Sequence, residues 1–198
     1  MSQDILSFSK NTLTDPLAKA LHAELADLYA ENDLDIFLPP EKLILYARQC
    51  GRAALALKYF LDEREPHLDW QVARVGVGHT PQTSSTPAEH CYVRGMQPNG
   101  QLLVAIDPTW NQFLLTAPDV LQTVAPDSLP SQHIAAWYAT DTEAAVSEAT
   151  HRHPHLKQAL QDLWNPQHAT EIHHIPGTRI TYSARRIARS LLSNPLLQ

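Results

Sequence analysis

The sequence predicts an α+β fold. Helical periodicity fills the first third, strand-like runs separated by turn residues fill the middle, and helical segments return toward the end. The helical opening rests on leucines spaced four and three apart. The middle rests on apolar runs flanking Gln97-Pro98-Asn99-Gly100, a strong turn signal.

Residues 14–31 read as an amphipathic helix, with Thr14 or Asp15 as cap, Pro16 in the first turn and Leu17, Leu21, Leu25 and Leu28 in one stripe. After a break ending in Pro39-Pro40, residues 41 to about 61 are again helical, with Leu43, Ala47, Cys50, Ala54, Leu57 and Leu61 sharing a face. Gly51 leaves open whether one helix runs through or a new one starts near Cys50. Residues 70–77 read as a strand in which Trp70 and Val72 alternate and Val75 and Val77 follow after a slip. A Pro/Ser/Thr loop over 79–89 leads to two strands, 90–94 and 102–106. Residues 133–139 read as a strand, 142–150 and 155–164 as helices, 172–181 as extended and 183–192 as a last helix with Arg185, Arg186 and Arg189 on its surface. The prediction is one domain over 1–198: a core over about 40–140, an N-terminal helix, and a C-terminal helical extension over 141–198.

The chain can bury a real core without disulfides or metals. Asp plus Glu is 21 against 15 Lys plus Arg, a net charge of −6, which disfavours a nucleic-acid partner. No apolar run approaches a membrane span, so no membrane partner is expected. The two cysteines, Cys50 and Cys91, form no disulfide framework. The polar start MSQDILSFSKNTL lacks the features of a signal peptide. A cytoplasmic location, or delivery into a host cell without such a peptide, is the expectation.

A cysteine nucleophile needs a base within reach, a group that orients the base, and surroundings that stabilise the thiolate. The hairpin supplies the last two residues of such a set. If Asn99-Gly100 is the loop, Asp107 faces Tyr92 and His90 lies diagonally beside it; if Pro98-Asn99 is the loop, His90 faces Asp107 directly. Either two-residue loop puts both side chains on one sheet face, whereas a three-residue loop separates them.

Three runs carry a family resemblance: Gln49-Cys50, His90-Cys91-Tyr92 and Asp107-Pro108-Thr109-Trp110. In their order and spacing the chain resembles the transglutaminase-like and papain-like superfamily of cysteine enzymes over roughly residues 40–115, with Tyr92 where that family usually carries Trp. The resemblance implies a Cys-bearing helix packed on an antiparallel sheet that bears His and Asp, with flanking helices. It implies Cys50 as nucleophile, His90 as general base and acid, and Asp107 as the residue that holds the imidazole tautomer. Gln49, Tyr92 and Trp110 would border the oxyanion site and cleft. The activity implied is attack on an amide of a protein or peptide through a thioester, with no cofactor. Hydrolysis by a peptidase or glutamine deamidase is preferred, and transfer to an amine or a catalytically inactive binding module is the alternative.

The bland readings are a buried Cys50, a surface His90 and an Asp107 that merely ends a strand. Cys91, alternating away from His90, is expected in the core. His151, His153 and His155 suggest imidazole ligands, but no acidic cluster or cysteine pair completes a site, so a solvated loop is expected; His173-His174 is a weaker metal signal still. Elemental analysis of the purified protein should therefore show no stoichiometric transition metal. One tightly bound zinc per chain, lost in His153→Ala, would overturn this.

Overall fold

The computed structural model describes residues 16–31, 50–75, 90–110, 134–151, 154, 157–173 and 176–197. The described elements are helix α1 (Ala18–Glu31), helix α2 (Cys50–Arg64), strands β1 (Asp69–Val75), β2 (His90–Met96), β3 (Leu102–Asp107) and β4 (Ala135–Tyr138), helices α3 (Thr142–Ala149) and α4 (Lys157–Leu163), strand β5 (Ala169–Glu171) and helix α5 (Arg179–Ser193). The five strands form one antiparallel sheet in the order β4-β3-β2-β1-β5, so the chain is α+β with helices packed on an antiparallel sheet.

Both faces of the sheet are covered. Trp70, Val72, Cys91, Val93, Val104 and Ile106 point into a core shared with α1, α2 and α5. Ala73, Val75, Tyr92, Ala105 and Trp137 point the other way, against Val146 of α3, Leu160 and Leu163 of α4, and Trp164. The slip expected in β1 is absent: β1 pairs without interruption from Asp69↔Met96 to Val75↔His90. Val75 breaks the apolar alternation because it belongs to the second core, which a two-sided buried strand permits.

Helix α2 lies between α1, α5 and the sheet, and Ala53, Ala54, Leu55, Ala56 and Leu57 are buried in succession around it. A stretch apolar all round must be enclosed, and this one is, while Lys58, Asp62 and Glu63 farther along the helix keep contact with solvent. In α1, Leu17, Leu21 and Leu25 are buried as the stripe requires. The side chain of Leu28, the caps at Thr14 and Asp15, the segment 41–49 and Val77 lie outside the described residues. Ser190 of α5 donates to Glu24 of α1, and Arg64 Nη2 donates to the carbonyl of Leu197 at 2.6 Å, so α5 is tied to α1 and the end of α2 to the segment after α5.

Two expectations about the C-terminal part are corrected. The extended segment is the three-residue β5, earlier than the predicted 172–181, and the last helix begins at Arg179 and not at 183. Gly177 at φ +82° turns the chain, and Thr178 Oγ1 then accepts the N–H of Thr181 at 3.3 Å as an N-cap. Arg185, Arg186 and Arg189 are exposed as expected, with Arg185 5.4 Å from the centre of the Tyr59 ring.

The β2–β3 hairpin departs from both predicted loops. Gly100 N–H donates to Gln97 O at 2.8 Å and Gln97 N–H to Gln101 O at 2.9 Å, leaving Pro98, Asn99 and Gly100 as a three-residue loop. Pro98 suits the second position of this turn, Asn99 Oδ1 takes the N–H of Gln101 at 3.0 Å, and Gly100 sits at φ +79°. Such a loop alone would put His90 and Asp107 on opposite faces. A bulge reverses this: Met96 pairs with Leu102 but Gly95 pairs with Val104, so Leu103 is an extra residue in β3. Beyond it Val93 opposes Ile106, the register expected for an Asn99-Gly100 loop, and His90 and Asp107 share a face.

Gly95 is packed into this bulge. A Cβ there would come within 2.8 Å of Val104 Cγ1, 2.9 Å of Trp70 Cζ3 and 3.0 Å of Leu68 Cδ1. Gly95→Ala should therefore lower the unfolding free energy by about 1–3 kcal/mol by overpacking. Gly100→Ala, where nothing lies within 4 Å, should cost about 1–2 kcal/mol through its positive φ alone. Urea unfolding of both variants checks this, and a Gly95→Ala protein as stable as wild type would refute it.

Candidate active site

His90 opens β2 and Asp107 closes β3, so both lie at one end of the two central strands, on the face covered by α3 and α4. His90 Nε2 donates to Asp107 Oδ2 at 2.7 Å, and neither side chain reaches solvent. The indole Nε1–H of Trp164 donates to the same oxygen at 2.9 Å, and the backbone N–H of Thr109 donates to Oδ1 at 3.0 Å. The last bond is an Asx turn, so Asp107 also ends its strand. One oxygen of Asp107 turns the chain and the other receives the imidazole.

Behind Asp107 lies an aromatic layer. Trp137 stacks on Trp164 at 4.2 Å, Trp110 meets Trp164 edge-on at 6.4 Å, and Tyr92 lies 6.2 Å from Trp137. Tyr92 is fully buried and Trp110 is 7% exposed, so both brace the site from within. Burial, with the charge of Asp107 added to it, pushes the Tyr92 phenol well above its usual range, the effect of Arg94 opposing them. Gln49 lies outside the described residues.

Cys50 approaches from the other face. Strand alternation turns Cys91 away from the His90 side and toward α2. There a Cβ on Gly51 would stand 3.8 Å from Cys91 Sγ, an ordinary contact distance, so the first turn of α2 lies directly over the strand. Cys50 is 8% exposed, in the same cluster. Hydrogen bonding from the Cys91 side chain draws its pKa well below that of an ordinary thiol. Burial opposes the shift, and hydrogen bonding and charge from His90 reinforce it. For His90, burial works against the charged form, but the charge and hydrogen bond of Asp107, followed by those of Cys50, raise its pKa to about 10. The arrangement favours a thiolate beside an imidazolium. His90's contribution to stability is then whole below the ordinary imidazole value of ~6.5 and is lost as pH rises through its folded-state value. Cys50's contribution is whole above ~8.5 and is lost as pH falls through its depressed one.

The structure thus brings together the three residues singled out from the sequence, Cys50, His90 and Asp107. Two further residues escaped sequence reasoning. Cys91 was placed in the core, but nothing local told that it touches Cys50, because that contact depends on how α2 docks on the sheet. Trp164 is 57 residues from its partner Asp107. The one available signal was general: a tryptophan at the end of an apolar helix must find an acceptor for its N–H when buried. Of the histidine groups, His151 and His173 are described and exposed, while His153, His155 and His174 lie outside the described residues. Among the described residues no three His, Cys, Asp or Glu side chains converge to hold a metal, and no helix is long and apolar enough to cross a membrane. No protein-family model, curated protein or solved structure matches the chain.

The Cys50 thiolate should be visible in its ultraviolet absorbance at about pH 6, where an ordinary thiol is protonated. Cys91→Ala and His90→Ala should each shift its ionisation back up toward the ordinary range. A titration in which Cys50 ionises near ~8.5 in all three proteins would show that no thiolate–imidazolium pair exists.

Proposed function

We propose that the protein is a cysteine enzyme of the transglutaminase-like and papain-like type, acting hydrolytically on an amide of a protein or peptide. The observation that carries this reading is the His90 imidazole. It bonds Asp107 through Nε2 at 2.7 Å and interacts with Cys50, which leaves Nδ1 as the nitrogen facing the sulfur. The helix bearing Cys50 and the antiparallel strands bearing His90 and Asp107 support the same type.

In the first half-reaction the Cys50 thiolate adds to the amide carbonyl. The tetrahedral adduct collapses to a thioester as the imidazolium of His90 gives its proton to the departing amine. That amine is ammonia when the amide is a glutamine side chain and a new amino terminus when it is a peptide bond. In the second half-reaction His90 takes a proton from water as the water attacks the thioester. The acid is released and the thiolate–imidazolium pair is restored. Asp107 keeps the ring oriented throughout. An amine in place of water would give transamidation by the same steps. Hydrolysis is preferred because no site for a second substrate is evident among the described residues.

One observation favours a second reading. Cys50 is only 8% exposed and His90 is fully buried, as expected of a binding module that has kept the fold without the chemistry. Casein peptides incubated with the protein distinguish the two. Wild type should release ammonia or new amino termini, Cys50→Ala should release neither, and added hydroxylamine should divert the product to hydroxamates. Peptide binding by both proteins, with no product and no acyl adduct on Cys50, would leave the binding module in its place.

A further inference from the structure

Asp107 can orient His90 only if something other than His90 orients Asp107. The two share a single bond between Nε2 and Oδ2 at 2.7 Å, and a pair held only by each other can swing as a unit. The Thr109 N–H grips the other oxygen, but it comes from the turn two residues on and moves with it. The remaining donor to Oδ2 comes from far away in the chain and is fixed by its own packing. Trp164 is 1% exposed, is stacked on Trp137 at 4.2 Å, meets Trp110 edge-on, and has its backbone N–H bonded to Leu160 O at 2.9 Å at the end of α4.

The same layer supplies a contrast. Trp110 and Trp137 are also buried, yet among the described residues their indole nitrogens have no hydrogen-bond partner. Of these three packed indoles, only Trp164 aims its N–H at the carboxylate. Packing alone does not demand that direction.

We propose that Trp164 is a positioning residue: its indole N–H, 2.9 Å from Asp107 Oδ2, fixes the carboxylate in the orientation that receives His90 Nε2. The segment that carries it lies beyond the stretch of family resemblance, so α4 and the turn after it belong to the active site and are more than an extension. The inference rests on the thiolate–imidazolium reading and deepens it.

The test is Trp164→Phe, which keeps an aromatic ring in the stack and removes the donor. The readout is the rate of Cys50 alkylation by iodoacetamide against pH, followed by mass spectrometry. Loss of a hydrogen bond to a charged group should change the Cys50 ionisation constant about tenfold, moving the midpoint of the rate–pH profile up by about one unit and leaving the rate at about pH 9 unchanged. In an Asp107→Ala background the same substitution should add nothing, since the donor then has no carboxylate to hold. An unchanged profile in Trp164→Phe, or an equal shift with Asp107 absent, would reduce Trp164 to packing and overturn the proposal. If Trp164→Phe does not fold, β-(3-benzothienyl)alanine at position 164 keeps the bicyclic shape, lacks the N–H, and is held to the same two outcomes. A wild-type protein without low-pH reactivity would instead bring down the thiolate reading itself, and this inference with it.

Discussion

A carboxylate with no access to water is costly unless donors surround it, and the buried Asp107 is surrounded: imidazole and indole N–H groups on one oxygen, a backbone N–H on the other. Each donor comes from a different part of the chain. His90 starts β2, Thr109 follows β3, and Trp164 follows α4, so satisfying this one group requires the hairpin, the strand-ending turn and the second helical layer to be in place together. The geometry of the site and the closure of the second core are therefore the same constraint. Breaking a buried, hydrogen-bonded charge by removing one partner is among the more destabilising changes a protein can suffer.

The sheet separates this carboxylate from the Cys50 sulfur. Asp107 and its aromatic layer lie on one face, Cys50 and Cys91 on the other, and His90 at the strand end is where the two sides meet. On the cysteine side, α2 is enclosed by α1, α5 and the sheet, which leaves it little freedom to shift relative to His90. On the carboxylate side, the stacked indoles give similar rigidity. Cys50, His90 and Asp107 are thus held between two close-packed cores.

Much of this was legible in the sequence because it depends on short periods. The leucine spacing of α1 and the apolar run of α2 announce helices, and the alternation of β2 places Cys91 opposite His90 without reference to anything distant. What escaped depends on competition between local signals or on long-range docking. The β-branched residues Ile172, Thr178, Ile180 and Thr181 read as a strand, but Gly177 and the capping hydroxyl of Thr178 start a helix there. Val75 looked like a slip because a strand covered on both faces has no obligation to alternate. The Cys50–Cys91 and Trp164–Asp107 contacts join segments that only the folded sheet brings together.

The hairpin between His90 and Asp107 has a further consequence, in the arithmetic of its length. An odd loop, Pro98 to Gly100, and an odd bulge, Leu103, add to an even offset, and only an even offset leaves the two side chains in phase. A single residue inserted or deleted at the turn would throw them out of phase, while a paired change, or one matched by loss of the bulge, would not. Apart from Gly100, whose positive φ favours glycine, the exposed tip of the hairpin is free to drift in composition. Its parity is not.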